Sequence, residues 1–173
     1  MSGRFVGIFI LFCAAVAGAG LYYLQVYGFY EEVSDEVPQV RLMPLGSDVP
    51  LPITAENIRA IDAESSPIRF RACFTTPSSL AMLTETYVVL DNATPRNAPD
   101  WFDCFDAAAI ASELKAGTAL AFLGEKNVNF GVDRIVAVSE DGRGYIWHEL
   151  NDCGEKAYDG TIVGEECPQR EDN

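Results

Sequence analysis

The sequence predicts an α+β fold: one N-terminal transmembrane helix, then a small mixed or antiparallel sheet with one or two short helices. Three observations carry this. Residues 5–30 contain no charged side chain, and Gln25 is their only strongly polar one; about 20 consecutive apolar residues suffice to cross the hydrocarbon core of a bilayer. Residues 68–75 alternate like a strand, and residues 128–150 read as a hairpin closed by the Asp141-Gly142 turn signal. Residues 106–116 have Asp106 as an N-cap, a high alanine content and Gly117 as a C-cap, the marks of a helix.

The apolar run reads as an anchor rather than a cleaved leader. Signal peptides pair a basic start with roughly 7–15 apolar residues and a small-residue cleavage site. Only Arg4 and the terminal amine are basic here, and Leu21, Tyr22, Tyr23, Leu24, Val26 and Tyr27 carry the apolar run past Ala17-Gly18-Ala19. Cys13 comes after Leu11-Phe12, where a lipidation site needs a small residue. Positive charge stays cytoplasmic. Arg4 precedes the span and Glu31, Glu32, Asp35 and Glu36 come after it, so residues 1–4 are expected inside and the domain outside. Tyr22, Tyr23, Tyr27, Phe29 and Tyr30 cluster at the outer end like an interfacial belt. Ala14 and Gly18 stand four residues apart; that spacing suits a packing face for a partner helix or a second copy, and is equally the ordinary content of a single span.

The chain beyond the span is long enough for one domain. The whole chain carries a net charge of −14, so without Arg4 the outer part carries about −15. Such a surface repels nucleic acid and anionic lipid, and would steer basic proteins or cations. Solubility alone also accounts for it. Cys73, Cys104, Cys153 and Cys167 form an even set in a domain expected to face an oxidising compartment, which suggests two disulfides. Cys153 with Cys167 and Cys73 with Cys104 is the favoured pairing, the first because its intervening segment reads as a loop. With no CxxC pair and one histidine, neither a structural zinc site nor a CxxC redox centre is expected.

In chain order, residues 31–52 hold Pro38, Pro44, Pro50 and Pro52 and read as an acidic extended spacer, with an edge strand conceivable around Val40. Residues 53–168 form the domain. Residues 53–64 suggest a short helix with Thr54 as N-cap and Ile58 and Ile61 on one face. In residues 68–75, Ile68, Phe70 and Ala72 point one way and Arg69, Arg71 and Cys73 the other. The two arginines could grip an anion or pair with the domain's own carboxylates. A short helix comes next near Leu80, Met82 and Leu83, then a brief strand at residues 87–90 and a proline-bearing loop. That loop delivers Trp101, Phe102 and Phe105 around Cys104, as core against a disulfide or as a binding patch. Residues 118–123 read as a buried strand and residues 124–127 as a turn. The hairpin arms lie near residues 132–138 and 144–150; residues 151–168 form a glycine-rich loop and residues 169–173 a frayed tail.

Little chemistry is legible. His148 is the sole histidine and is expected to face outward from Trp147 on a surface strand. No nucleophile elbow, phosphate loop or dinucleotide fingerprint occurs. No cofactor is expected.

The span, the segments IRAIDAESSPIRFRACF and FLGEKNVNFGVDRIVAVSEDGRGYIWHELNDCGEKAYDG, and the final GEECP resemble a family of small membrane-anchored alphaproteobacterial proteins of unknown function. Its members are sometimes labelled histidine kinases. The residues here reject that label, since there is no nucleotide-binding motif and His148 lies in a strand pattern. The resemblance implies compartment and architecture and brings no catalytic residue. The expected function is therefore a non-enzymatic accessory or assembly protein of the bacterial inner membrane, with an acidic periplasmic domain. Its partners would be a larger membrane complex, a second copy through the helix, or a basic periplasmic protein. A ligand-binding or sensory module using Arg69 and Arg71, and an enzyme using His148 with nearby carboxylates, are the alternatives.

Overall fold

The computed structural model describes residues 3–33, 39–165 and 167–168. Asp35, Glu36 and Pro38 of the expected spacer, and the tail from Gln169, lie outside these. The apolar run forms helix α1 (Gly3–Tyr23), continued by one π-helical turn (Leu24–Gly28). Gly3–Gly28 is long and apolar enough to cross a membrane, and none of its residues is buried.

Next in the chain are strands β1 (Glu31–Glu32), β2 (Arg41–Leu42), β3 (Leu51–Pro52), β4 (Glu56–Asp62) and β5 (Arg71–Thr75), then helix α2 (Leu80–Thr86) and β6 (Val89–Leu90). Helix α3 (Ala107–Ala116) precedes β7 (Ala119–Asn129), β8 (Val132–Ser139) and β9 (Arg143–Leu150). One antiparallel sheet has the order β1-β4-β5-β9-β8-β7-β6, and β2 and β3 pair separately. The β8–β9 hairpin supplies two of its central strands, with Val136 opposite Ile146 and Ile135 opposite Trp147.

Strand alternation builds two core layers, one on each face of the sheet. Phe70, Ala72, Phe74, Val136, Val138 and Ile146 face a layer completed by Val40, Leu42, Leu83 and Tyr87. Cys73, Ile135, Ala137, Tyr145 and Trp147 face the other, completed by Phe102, Phe105 and Ile110. The β2–β3 ribbon and α2 thus cover one face; α3 and the loop before it cover the other. Asp106 caps α3 through the amides of Ala108 and Ala109, and Gly117 ends it at φ 76°.

Four expectations are corrected. The described parts of the expected spacer belong to the domain: Glu31 and Glu32 pair with β4, Val40 and Leu42 are fully buried, and Ile53 N–H donates to the Val40 carbonyl. Residues 53–64 hold strand β4 rather than a helix. Ala60 and Ile61 enter opposite core layers, and a register irregularity with Asn57 at φ 52° obscures the alternation. Residues 124–127 lie within β7, where two register irregularities and Asn127 at φ 51° imitate a turn. A β-carbon on Gly124 would stand 2.9 Å from the Arg134 carbonyl oxygen, so glycine marks close strand approach there. Finally, His148 is buried.

Candidate functional site

The side chains singled out in the sequence gather at the end of the sheet where the helix leaves the domain. Arg71 is buried beside β9 and lies over the Phe105 ring. Its guanidinium donates to four carbonyls, those of Ile68, Phe70, Arg96 and Asn97. Among the described residues it forms no ion pair, and its bonds stitch the proline-bearing loop to the sheet. Burial pulls its pKa down to about 10, which leaves it charged at neutral pH.

His148 faces the opposite layer, stacked on Phe70 with ring centroids 4.9 Å apart. Arg134 Nε donates to its Nε2 at 3.1 Å, and its Nδ1 meets the Pro67 carbonyl oxygen at 2.7 Å. A guanidinium can only donate, so Nε2 is the acceptor and the proton sits on Nδ1. Burial pushes the imidazole down to about 4; the bond to Pro67 opposes this, and the charges of Arg134 and Arg71 add to it. Burial also lowers the Arg134 guanidinium, with Glu125 opposing. His148 is thus a neutral link between the hairpin and the β4–β5 connection. The hairpin register opposes Arg134 to His148, so this partnership is readable once the Asp141-Gly142 turn is placed.

On the other face a collar joins helix to domain. Trp101 Nε1 donates to the Val26 carbonyl at 2.7 Å, across 75 residues of sequence. Tyr30 packs edge-on against Trp101. Arg69 lies over both Phe29 and Tyr30, its Cζ 5.9 and 5.6 Å from their ring centroids. Glu149 holds the Trp101 loop down by accepting from the Thr94 amide and the Trp147 indole. The sequence marks Trp101 as core or binding patch. Its tie to the helix leaves no trace there, because the contact depends on where the loop lands.

Both favoured disulfides form. Cys73–Cys104 ties β5 to the Trp101 loop, and Cys153–Cys167 closes the loop after β9. The aromatic reading of that first loop is met by Phe102 and Phe105, both buried in the layer containing Cys73. Ala14 and Gly18 are exposed on α1, with nothing within 4 Å of a β-carbon placed on Gly18.

Two clefts offer no convergent chemistry. One of about 450 Å³ runs between β6 and α3 past Thr94 and Lys115. Another of about 200 Å³ lies beside Cys73–Cys104, lined by Arg59 and Arg143. Arg59 is paired with Asp103, and Arg143 with Asp141 and Glu113. Among the described residues, no group of three His, Cys, Asp or Glu is placed to hold a metal.

Fold and collar together define a class: a two-layered antiparallel sheet domain joined by direct contacts to a candidate single membrane span. The chain belongs to the family of unknown function DUF6446, which it matches over residues 40–168. The match begins at the first buried residue of the domain and leaves the helix outside. No curated protein and no solved structure matches the chain.

Proposed function

We propose that this chain is a non-enzymatic single-pass protein of the bacterial inner membrane, with its N-terminus cytoplasmic and an acidic periplasmic domain. Its role is that of an accessory or assembly subunit of a larger membrane complex, with a respiratory complex as one class of host. The observation that carries this reading is the collar. The Trp101–Val26 bond and the Arg69, Phe29 and Tyr30 contacts hold the domain against the end of the span. A domain so held presents its surface at one height and attitude, which suits docking to a neighbour in the same membrane; a sampling module would gain more from a loose tether.

Three further features support it. Disulfides persist in oxidising compartments, in keeping with a periplasmic domain. The net charge of −14 would steer a basic periplasmic partner to the complex. The exposed Ala14–Gly18 face would admit a partner helix or a second copy. For the ligand-sensing alternative, carbonyls already engage each guanidinium nitrogen of Arg71, which leaves Arg69 as the arginine to consider.

The test is isolation of the tagged full-length protein from native membranes in mild detergent, with mass spectrometry of the recovered material. Stoichiometric recovery of a membrane complex is expected. Recovery alone would overturn the accessory role, and recovery only as a homodimer would restrict the helix to self-association.

A further inference from the structure

Arg69 differs from its neighbours in how it is held. Arg71 spends its donors on carbonyls, and Arg59, Arg134 and Arg143 face carboxylates. Arg69 is in none of the ion pairs formed among the described residues, although the chain carries 26 Asp and Glu. Its side chain as a whole is only half-buried, which leaves the Nε and Nη2 edge for a ligand to approach, while the remaining guanidinium nitrogen, Nη1, is buried with no hydrogen-bond partner. Native proteins leave few buried donors in that condition. What positions the guanidinium instead is the pair of rings beneath it, Phe29 and Tyr30, the last residues of the aromatic end of the span.

At the height where an apolar span ends, the acceptor a bilayer supplies is the phosphodiester of a glycerophospholipid. Arginine's planar fork matches two phosphate oxygens at once. Cation–π contact would fix the fork's plane without using its hydrogen-bond donors. We propose that Arg69 binds the headgroup phosphate of a phospholipid in the leaflet at the domain side of the span, with Phe29 and Tyr30 as its platform. The domain's strong negative charge disfavours capture of free anions from solution. A lipid escapes that penalty because the bilayer delivers it in the plane at high effective concentration. The proposal rests on Gly3–Gly28 being an inserted span.

The test uses the full chain and its Arg69→Gln and Arg69→Lys variants in a neutral detergent. Lipid retention is read by native mass spectrometry and the melting midpoint by tryptophan fluorescence. Added components are phosphatidylglycerol, phosphatidylethanolamine, a diacylglycerol without phosphate, and inorganic phosphate. The parent should retain either phospholipid and melt higher with it, and should ignore diacylglycerol and inorganic phosphate. Arg69→Gln should lose about tenfold or more in retention, the worth of one charge-assisted hydrogen bond, and Arg69→Lys should keep part of it. Equal retention by Arg69→Gln, or equal protection by diacylglycerol, would overturn the site. Protection by inorganic phosphate alone would overturn a lipid source. Flotation with phosphatidylethanolamine–phosphatidylglycerol vesicles separates the two readings. Parent and Arg69→Gln should both float if the span inserts. If neither floats, the anchor itself fails, and the headgroup site with it. A cooperative melting transition without added lipid, at a midpoint close to the parent's, establishes that each variant has folded.

Discussion

Acid should unfold this protein partly through its one histidine. In the fold, His148 Nε2 accepts from Arg134, and a proton there would set two donors against each other inside the sheet. Its pKa is pushed down to about 4 in the fold, from 6.5 in the open chain, chiefly by burial. Above pH 6.5 both states are neutral and His148 adds no pH dependence. As pH falls from 6.5 toward 4, the unfolded chain takes up a proton that the fold refuses, so stability declines by about 1.4 kcal/mol per pH unit. Below about pH 4 the effect levels off, after a total loss of about 3 kcal/mol. Carboxylates also titrate in this window, so the assay compares urea unfolding of the full chain with that of His148→Gln between about pH 7.5 and 4. The parent should lose about 3 kcal/mol more than the variant over that interval. Because the chain has a single histidine, its ring resonances can be read without assignment ambiguity, and they should report a proton on Nδ1 at about pH 6. Parallel stability curves, or a parent that gains on the variant in acid, would refute the buried neutral imidazole.

Other perturbations have equally definite outcomes. A β-carbon on Gly144 would stand 2.1 Å from the Phe74 ring opposite it, so Gly144→Ala should cost about 1–3 kcal/mol in urea melts by overpacking. Arg71→Met should cost about 3 kcal/mol or more, because the carbonyls of Ile68, Arg96 and Asn97 lose their donor; proteolysis should then cut first in the loop of residues 91–100. On loop-closure entropy alone, replacing both Cys73 and Cys104 with serine should cost about 4 kcal/mol, and replacing both Cys153 and Cys167 about 3 kcal/mol, as read from denaturation midpoints of the two double variants.

The elements legible in the sequence are those whose local chemistry and burial agree. The span, helix α3 with Asp106 and Gly117, and the β8–β9 hairpin each carry their own start, stop and periodicity. The misleading ones carry irregularities that copy another element. Ile58 and Ile61 sit three apart like one helical face, yet β4 reaches them through a bulge at Asn57. Gly124 and Asn127 resemble a turn, although they are places where β7 deviates while still paired to β8. The prolines of residues 39–52 suggest a spacer, but their neighbours Val40 and Leu42 find a sheet face to cover. At the site, sequence picks out Arg69, Arg71 and His148 as unusual residues without fixing their roles. Side-chain alternation places the two arginines on one face correctly. Burial then decides between them, since Arg71 lies under the loop and Arg69 beside the helix end. His148 looks like a surface residue because alternation gives a face but not whether that face is covered; here Arg134 and Phe70 lie against it.

The central claim is that the domain is held at a set attitude to its span. The most direct measurement is the distance distribution between spin labels at Leu21 on α1 and Lys115 on α3, both exposed, in a Cys13→Ala background reconstituted into lipid nanodiscs. A single narrow distribution, broadened when Trp101→Phe removes the bond to Val26, is the predicted result. A distribution already broad in the parent would mean that the helix swings freely, and would contradict the account.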